Sequence, residues 1–240
     1  MTPENWSGRM RILSSINGNV ANRGVERYRD LNGRHLEILA AEGVSDDTIL
    51  MHVRTSQARL EVAQAARTRV ESGRGEAAIE RHTVSNAGWI GQELALDANE
   101  GVRVRIDKTL ALHCSRDPGI SEAGLAVRET AANCEGFDAL LAAHRTAWHH
   151  LWDEFDVEID TDDPDLHRKL RLHTFHLLQT LSLHSTEHDT GTPARGWHGE
   201  AYRGPHLLGR AVHLPVPGSA PAGRDPRPVA VPLSPPAQGA

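Results

Sequence analysis

Phe, Trp and Tyr together make up only 4% of this 240-residue chain, and all apolar residues together reach 39%. That apolar share is below the usual range for a globular protein, but with 24% charged residues the chain still reads as soluble and globular. Nowhere is there a run near the roughly 20 apolar residues that cross a membrane. MTPENWSGRM at the N-terminus lacks the apolar core of a secretion signal, so a cytoplasmic location is expected. An excess of basic charge is also missing: the net charge of −6 argues against a dedicated nucleic-acid binder. The only two cysteines, Cys114 and Cys134, fit a reducing compartment better than a disulfide scaffold.

What is present divides at Asp117-Pro118-Gly119. Before it, RMRILSS alternates and runs into Asn17-Gly18, a hairpin-turn signal, because both central residues of a type I′ turn need positive φ. HLEILAA and TILMHVRT follow, separated by Gly43 and Asp46-Asp47. Alternation resumes from Leu60 through Val70. WIGQELAL and VRVRIDKTLALHCS come next, with Asn99-Glu100-Gly101 between them as a second turn. Long alternating segments joined by polar turns, without intervening helices, predict an antiparallel β-sandwich.

After Asp117 the period changes. A helix is expected from Ser121 to about Asn133. FDALLAAHRTAWHHLWDEF forms a second, with Leu140, Leu141, His144, Trp148, Leu151 and Trp152 near one face. A third begins with Asp163 as N-cap and Pro164 at the first helical position, with Leu166, Leu170, Leu177, Leu178 and Leu181 at helical spacing. The order is therefore sheet, then helices: two domains joined by a helical linker, or one α+β unit. Residues 205–240 hold nine of the thirteen prolines and few large apolar groups, a composition expected to be disordered.

Three stretches carry candidate chemistry. His173/His176 and His184/His188 stand at helical spacing, with Glu187 and Asp189 nearby as further ligands, but no metal signature such as H-E-x-x-H accompanies them. Ordinary solvated histidines explain them better, and no metal is expected. DEFDVEIDTDDPD is rich in carboxylates, which reads as a solvated connector and helix N-cap before it reads as an acid–base pair. PARGWHGEAYRG, residues 193–204, is different. Arg195 and Arg203 can fork onto anions. His198 and Glu200 can bond sugar hydroxyls, and Trp197 or Tyr202 can stack on a sugar ring. Glycines let the backbone approach a ligand. Composition alone leaves this equally readable as a polar loop.

HTFHLLQTLSLH followed by DTGTPARGWHGEAYRG resembles glycoside hydrolase family 65, whose members include maltose, trehalose and kojibiose phosphorylases and some α-glucoside hydrolases. The similarity is to an F-H-L-L-Q-T helix and D-x-G-x-P-A-R-G-L-x-G-E-x-Y-R-G, departing only at Trp197. Upstream, Trp6, Gly8, Ser15, Asn17, Gly18, Val20 and Asn22, then RYRDLNGRHLE, are similar to the middle of that family's N-terminal sandwich. The resemblance implies an α+β fragment. Residues 1–117 would be the later part of the sandwich, 118–157 a helical linker, and 158–204 the start of an (α/α)6 catalytic barrel. It also implies an α-linked glucose disaccharide as substrate, bound by Arg195, His198, Glu200, Tyr202 and Arg203. No cofactor is implied beyond inorganic phosphate as co-substrate in the phosphorylases. Homodimers are common in the family, and neither nucleic acid nor membrane is an expected partner.

The resemblance stops at Gly204. The family continues G-H-x-F-W-D-E-L-F, whereas this chain reads GPHLLGRAVH. With permissible codons, removal of one base after codon 204 turns the latter into G-H-I-F-W-D-E-L-F. Residues 205–240 are therefore expected to be out-of-frame translation. In the family a glutamic acid deeper in the barrel protonates the glycosidic oxygen, and phosphate or water attacks the anomeric carbon with inversion. That acid lies beyond Gly204, so no catalytic residue is assigned here, and this chain is expected to be an inactive fragment. A non-catalytic carbohydrate-binding sandwich is the alternative.

Overall fold

A computed structural model describes residues 1–21, 33–73, 75–76 and 78–180. Along the chain run β1 (Gly8–Asn17), β2 (Leu36–Ser45), β3 (Thr48–Thr55), β4 (Glu61–Ser72), β5 (Gly75–Glu76), β6 (Glu80–Asn86), β7 (Trp89–Ala98) and β8 (Val104–Cys114). Three helices follow: α1 (Ala123–Asn133), α2 (Phe137–Phe155) and α3 (Pro164–Thr180).

The strands form two antiparallel sheets, as the alternation predicts. One has the order β1-β7-β6; the other has the order β2-β3-β4-β5, with β8 also on β4. Side-chain parity explains the packing. In β3, Ile49, Met51 and Val53 point between the sheets and pack with Ile16, Ala66 and Ile90, while Leu50 points the other way. In β4, Ala63 and Ala65 share the face of Leu50, where Ala123, Val127 and Ala131 of α1 cover them. These three recur every fourth residue, one stripe of a helix. Their small size lets α1 lie close to the sheet: a Cβ on Gly124 would come within 3.3 Å of His52 Nδ1. The five-stranded sheet is thus covered on both faces, by the second sheet and by α1.

Between the sheets a polar seam interrupts the apolar packing. Ser14 and Thr68, both buried, are joined by a 2.8 Å hydrogen bond from one sheet to the other. Gln92, opposite Ser14 in the β1–β7 register, donates Nε2 to the Asp46 carbonyl at 2.9 Å.

Asn17-Gly18 does not close a hairpin. β1 ends there, but its partner is β7, with Asn17 opposite Trp89, and β2 belongs to the other sheet. The glycine serves close approach instead: its N–H bonds the Gly88 carbonyl at 2.8 Å, and a Cβ would sit 2.8 Å from Ile38 Cδ1. The tight two-residue connections are Asp46-Asp47, between paired Ser45 and Thr48, and Ala87-Gly88, between paired Asn86 and Trp89. Gly88 has φ +73°, which glycine adopts without strain. Asn99-Glu100-Gly101 does turn the chain, but it carries it from one sheet to the other. β6 was not anticipated: ERHTVSN has too little apolar alternation to mark an edge strand.

β8 is paired along its whole length with β4; the three-stranded sheet meets it at Val104, packed with Leu94, Leu96 and Ala98, and at Lys108, whose Nζ donates to the Ser15 carbonyl at 2.7 Å. Ile106, Leu110 and Leu112, on the same face as Val104 and Lys108, remain 40–53% exposed. At its other edge, among the described residues, Met1 exchanges both backbone bonds with Val104, at 2.9 and 2.8 Å.

Candidate functional site

In the chain, helices α2 and α3 precede the 193–204 motif. Asp163 caps α3 by accepting the Asp165 N–H at 2.9 Å, and Thr161 accepts the Asp163 N–H at 3.1 Å. The acidic connector therefore does the structural work expected of it. Trp148 and Phe175 pack with centroids 5.0 Å apart, and Arg171 lies over the Trp152 ring at 4.9 Å while pairing with Asp156 at 3.3 Å. No residue of α2 is buried; Phe137, Leu140, Leu166, Leu172 and Leu177 stand 38–56% exposed along the two helices.

His173 and His176 fall on α3, where His176 Nδ1 lies 3.3 Å from Gln179 Oε1. Among the described residues no group of His, Cys, Asp and Glu is arranged to hold a metal ion. His184, His188, Glu187 and Asp189 lie outside the described residues, and so do Arg195, His198, Glu200, Tyr202 and Arg203.

Two arrangements escaped the sequence reading. At the end of β8, His113 Nδ1 lies 2.9 Å from Asp117 Oδ2 and His113 Nε2 lies 2.8 Å from Thr130 Oγ1 on α1. Cys114 donates both its backbone N–H, at 3.0 Å, and its thiol, at 2.9 Å, to the same carboxylate. Burial alone would raise Asp117, but the bonds from Cys114 and His113 outweigh it and hold the carboxyl below its ordinary value. Burial and the bond to Asp117 push the Cys114 thiol up, so it remains protonated and a poor nucleophile. The cluster staples α1 to β8. Its signal was the i,i+4 pair in HCSRD.

The second arrangement is on the outward face of the three-stranded sheet. Trp89 and Gly91 are alternate residues of β7 and share that face. A Cβ on Gly91 would fall 2.7 Å from Trp89 Cη2, 3.0 Å from Cζ2 and 3.1 Å from Leu13 Cδ1. The indole therefore lies down over the strand, on the place where a side chain is missing, beside Leu13. One register step away, Glu93 stands between Leu13 of β1 and His82 of β6. The signal was the W-x-G alternation inside a strand.

The described residues thus form a two-sheet antiparallel sandwich with a packed helix, followed by two helices with exposed apolar residues. The profile of the glycosyl hydrolase family 65 N-terminal domain matches residues 1–151, and the chain belongs to that family. It is 34% identical over 213 residues to an uncharacterized glycosyl hydrolase of Mycobacterium tuberculosis, covering 88% of this chain and 16% of that protein. It is 25% identical over 211 residues to kojibiose phosphorylase of Halothermothrix orenii, covering 84% of this chain and 26% of that protein. Trehalose 6-phosphate phosphorylase of Lactococcus lactis is 24% identical over 200 residues, covering 83% and 24%. In fold, the chain matches a solved human-microbiome protein assigned as a kojibiose phosphorylase with a TM-score of 0.62 at 17% identity, over 82% of this chain and 24% of that one. The chain thus spans about a quarter or less of these relatives. Among the described residues no helix is long and apolar enough to cross a membrane.

Proposed function

We propose that this chain is the front part of an inverting α-glucoside phosphorylase or hydrolase, and that it does not turn over substrate in its 240-residue form. The observation that carries this reading is the family 65 sandwich, matched over residues 1–151, followed in the same chain by PARGWHGEAYRG. In this reading α3 opens the (α/α)6 barrel. Arg195, His198, Glu200, Tyr202 and Arg203 then hold the glucose ring of an α-linked disaccharide. Glu200 is a binding group; the general acid belongs to barrel sequence that follows Gly204 when the frame is restored.

The division of labour is physical. The acid must protonate the leaving oxygen while phosphate or water approaches the opposite face of the sugar, so an inverting site needs groups on both sides of the ring. Loss of a general acid alone costs about 10²–10⁴-fold in rate. No cofactor enters this chemistry; inorganic phosphate is a co-substrate where the parent is a phosphorylase. The parent protein is proposed to act in the cytoplasm as a homodimer, without nucleic-acid or membrane partners.

The test compares two genes, one encoding this chain and one with a single base removed after codon 204. Each product is given maltose, trehalose or kojibiose with phosphate, and released sugar phosphate and glucose are followed by anomeric NMR. Turnover with inversion only from the restored frame is the expected result. Turnover by the 240-residue chain itself would overturn the proposal.

A further inference from the structure

The outward face of the β1-β7-β6 sheet carries a small apolar platform set in a polar frame. Trp89 lies over Gly91, with its outer ring face turned away from the strand, and the half-exposed Leu13 extends it sideways. Around it stand Glu93 and His82, both exposed and opposite one another in the β6–β7 register. Neither side chain forms a hydrogen bond among the described residues. Farther along the same face Arg9 and Glu80 pair with each other.

From this geometry we infer that the face is a non-catalytic binding site for α-linked gluco-oligosaccharides, distinct from the 193–204 motif. A pyranose offers an apolar face of C–H groups and a rim of hydroxyls. The indole matches the first, because an aromatic ring presents a flat, electron-rich apolar surface. Glu93 and His82 match the second: a carboxylate accepts from two hydroxyls, and an imidazole both donates and accepts. The platform is one ring and one leucine wide. A protein partner needs about 800 Å² per side for a stable interface, and this platform offers one ring and one leucine beside the polar Arg9, Glu80, His82 and Glu93. The seat also explains Gly91: any side chain there would lift the indole off the strand. The choice of α-linked glucose rests on the family reading above; the site itself rests on Trp89 and its neighbours.

The 240-residue chain, labelled with ¹⁵N, is titrated with maltose, trehalose and kojibiose while the indole N–H resonances are followed, with cellobiose as the control linkage. Trp89 is assigned from its loss in Trp89→Ala. An α-linked disaccharide should shift the Trp89 indole, with saturation at about 1–10 mM. Trp89→Ala should weaken binding at least about tenfold, the scale of one lost stacking contact. Glu93→Gln changes an exposed group without a hydrogen bond among the described residues, so its fold is kept and binding should still fall several-fold. Gly91→Ala should weaken binding while retaining the tryptophan. The inference is overturned if no indole moves by about 10 mM, or if Glu93→Gln and Gly91→Ala bind as the parent does. It is also overturned if the sugar moves Trp197 and leaves Trp89 unmoved; the catalytic reading would then survive alone.

Discussion

Ser14 of β1 and Thr68 of β4 share a 2.8 Å hydrogen bond across the two sheets, with 7% and 1% exposure. Removing one partner strands the other without water, which costs about 1–3 kcal/mol, whereas removing both need not. Thr68→Val should therefore lower the unfolding free energy by about 2 kcal/mol. Adding Ser14→Ala should recover part of that loss. Urea melts of the two single variants and the double variant measure the coupling; strict additivity would show that the bond contributes nothing specific.

Gly88 closes the β6–β7 hairpin with φ +73°. A Cβ there would also collide with the Asn19 carboxamide, whose Nδ2 donates to the Ala87 carbonyl at 2.5 Å. Both effects act in one direction, so Gly88→Ala should destabilise by more than about 1 kcal/mol. The denaturation midpoint should fall with little change in its slope.

Asp47 sits at the β2–β3 turn, where burial raises its pKa. Bonds from Arg67, Thr48 and Ser45, at 2.7, 2.8 and 2.9 Å, outweigh that and hold it below the ordinary 3.8. A carboxyl depressed in the folded state contributes stability above its unfolded pKa and loses it as pH falls through the folded one. The urea midpoint should therefore drop as pH is lowered from 6 through the region below about 4. In Asp47→Asn the midpoint at pH 6 should be lower and the acid drop smaller. An unchanged acid drop would assign the effect to other carboxylates, such as Asp117, which is shifted in the same direction.

Much of the fold was legible because its physics is local. TILMHVRT gave β3 to the residue, and Asp163-Pro164 gave the start of α3, since alternation and capping depend on neighbours in sequence. The partner of β1 was not legible. Asn17-Gly18 has the composition of a turn, but its glycine is needed for contact with Gly88, Ile38 and Met51, far away in the chain. β6 hid because an edge strand with a solvated outer face needs little apolar alternation. α1 was recognised as a helix, yet its role as the cover of the five-stranded sheet came only from the small-residue match with Ala63 and Ala65. The 193–204 motif was visible as composition and lies outside the described residues. The Trp89 platform was invisible, because nothing local says that an indole will lie on a glycine two residues on.

The open flank of β8 bears on how this chain survives rather than on how it folds. Ile106, Leu110 and Leu112 project from a strand whose far edge, among the described residues, is bonded only at Val104. A strand edge with apolar side chains is a template for another strand. Two molecules meeting there remove each other from solution, and that loss grows with the square of concentration while folding stays first-order. Yield should consequently depend on how fast the chain is made: slow synthesis favours the soluble monomer, and rapid synthesis favours the pellet.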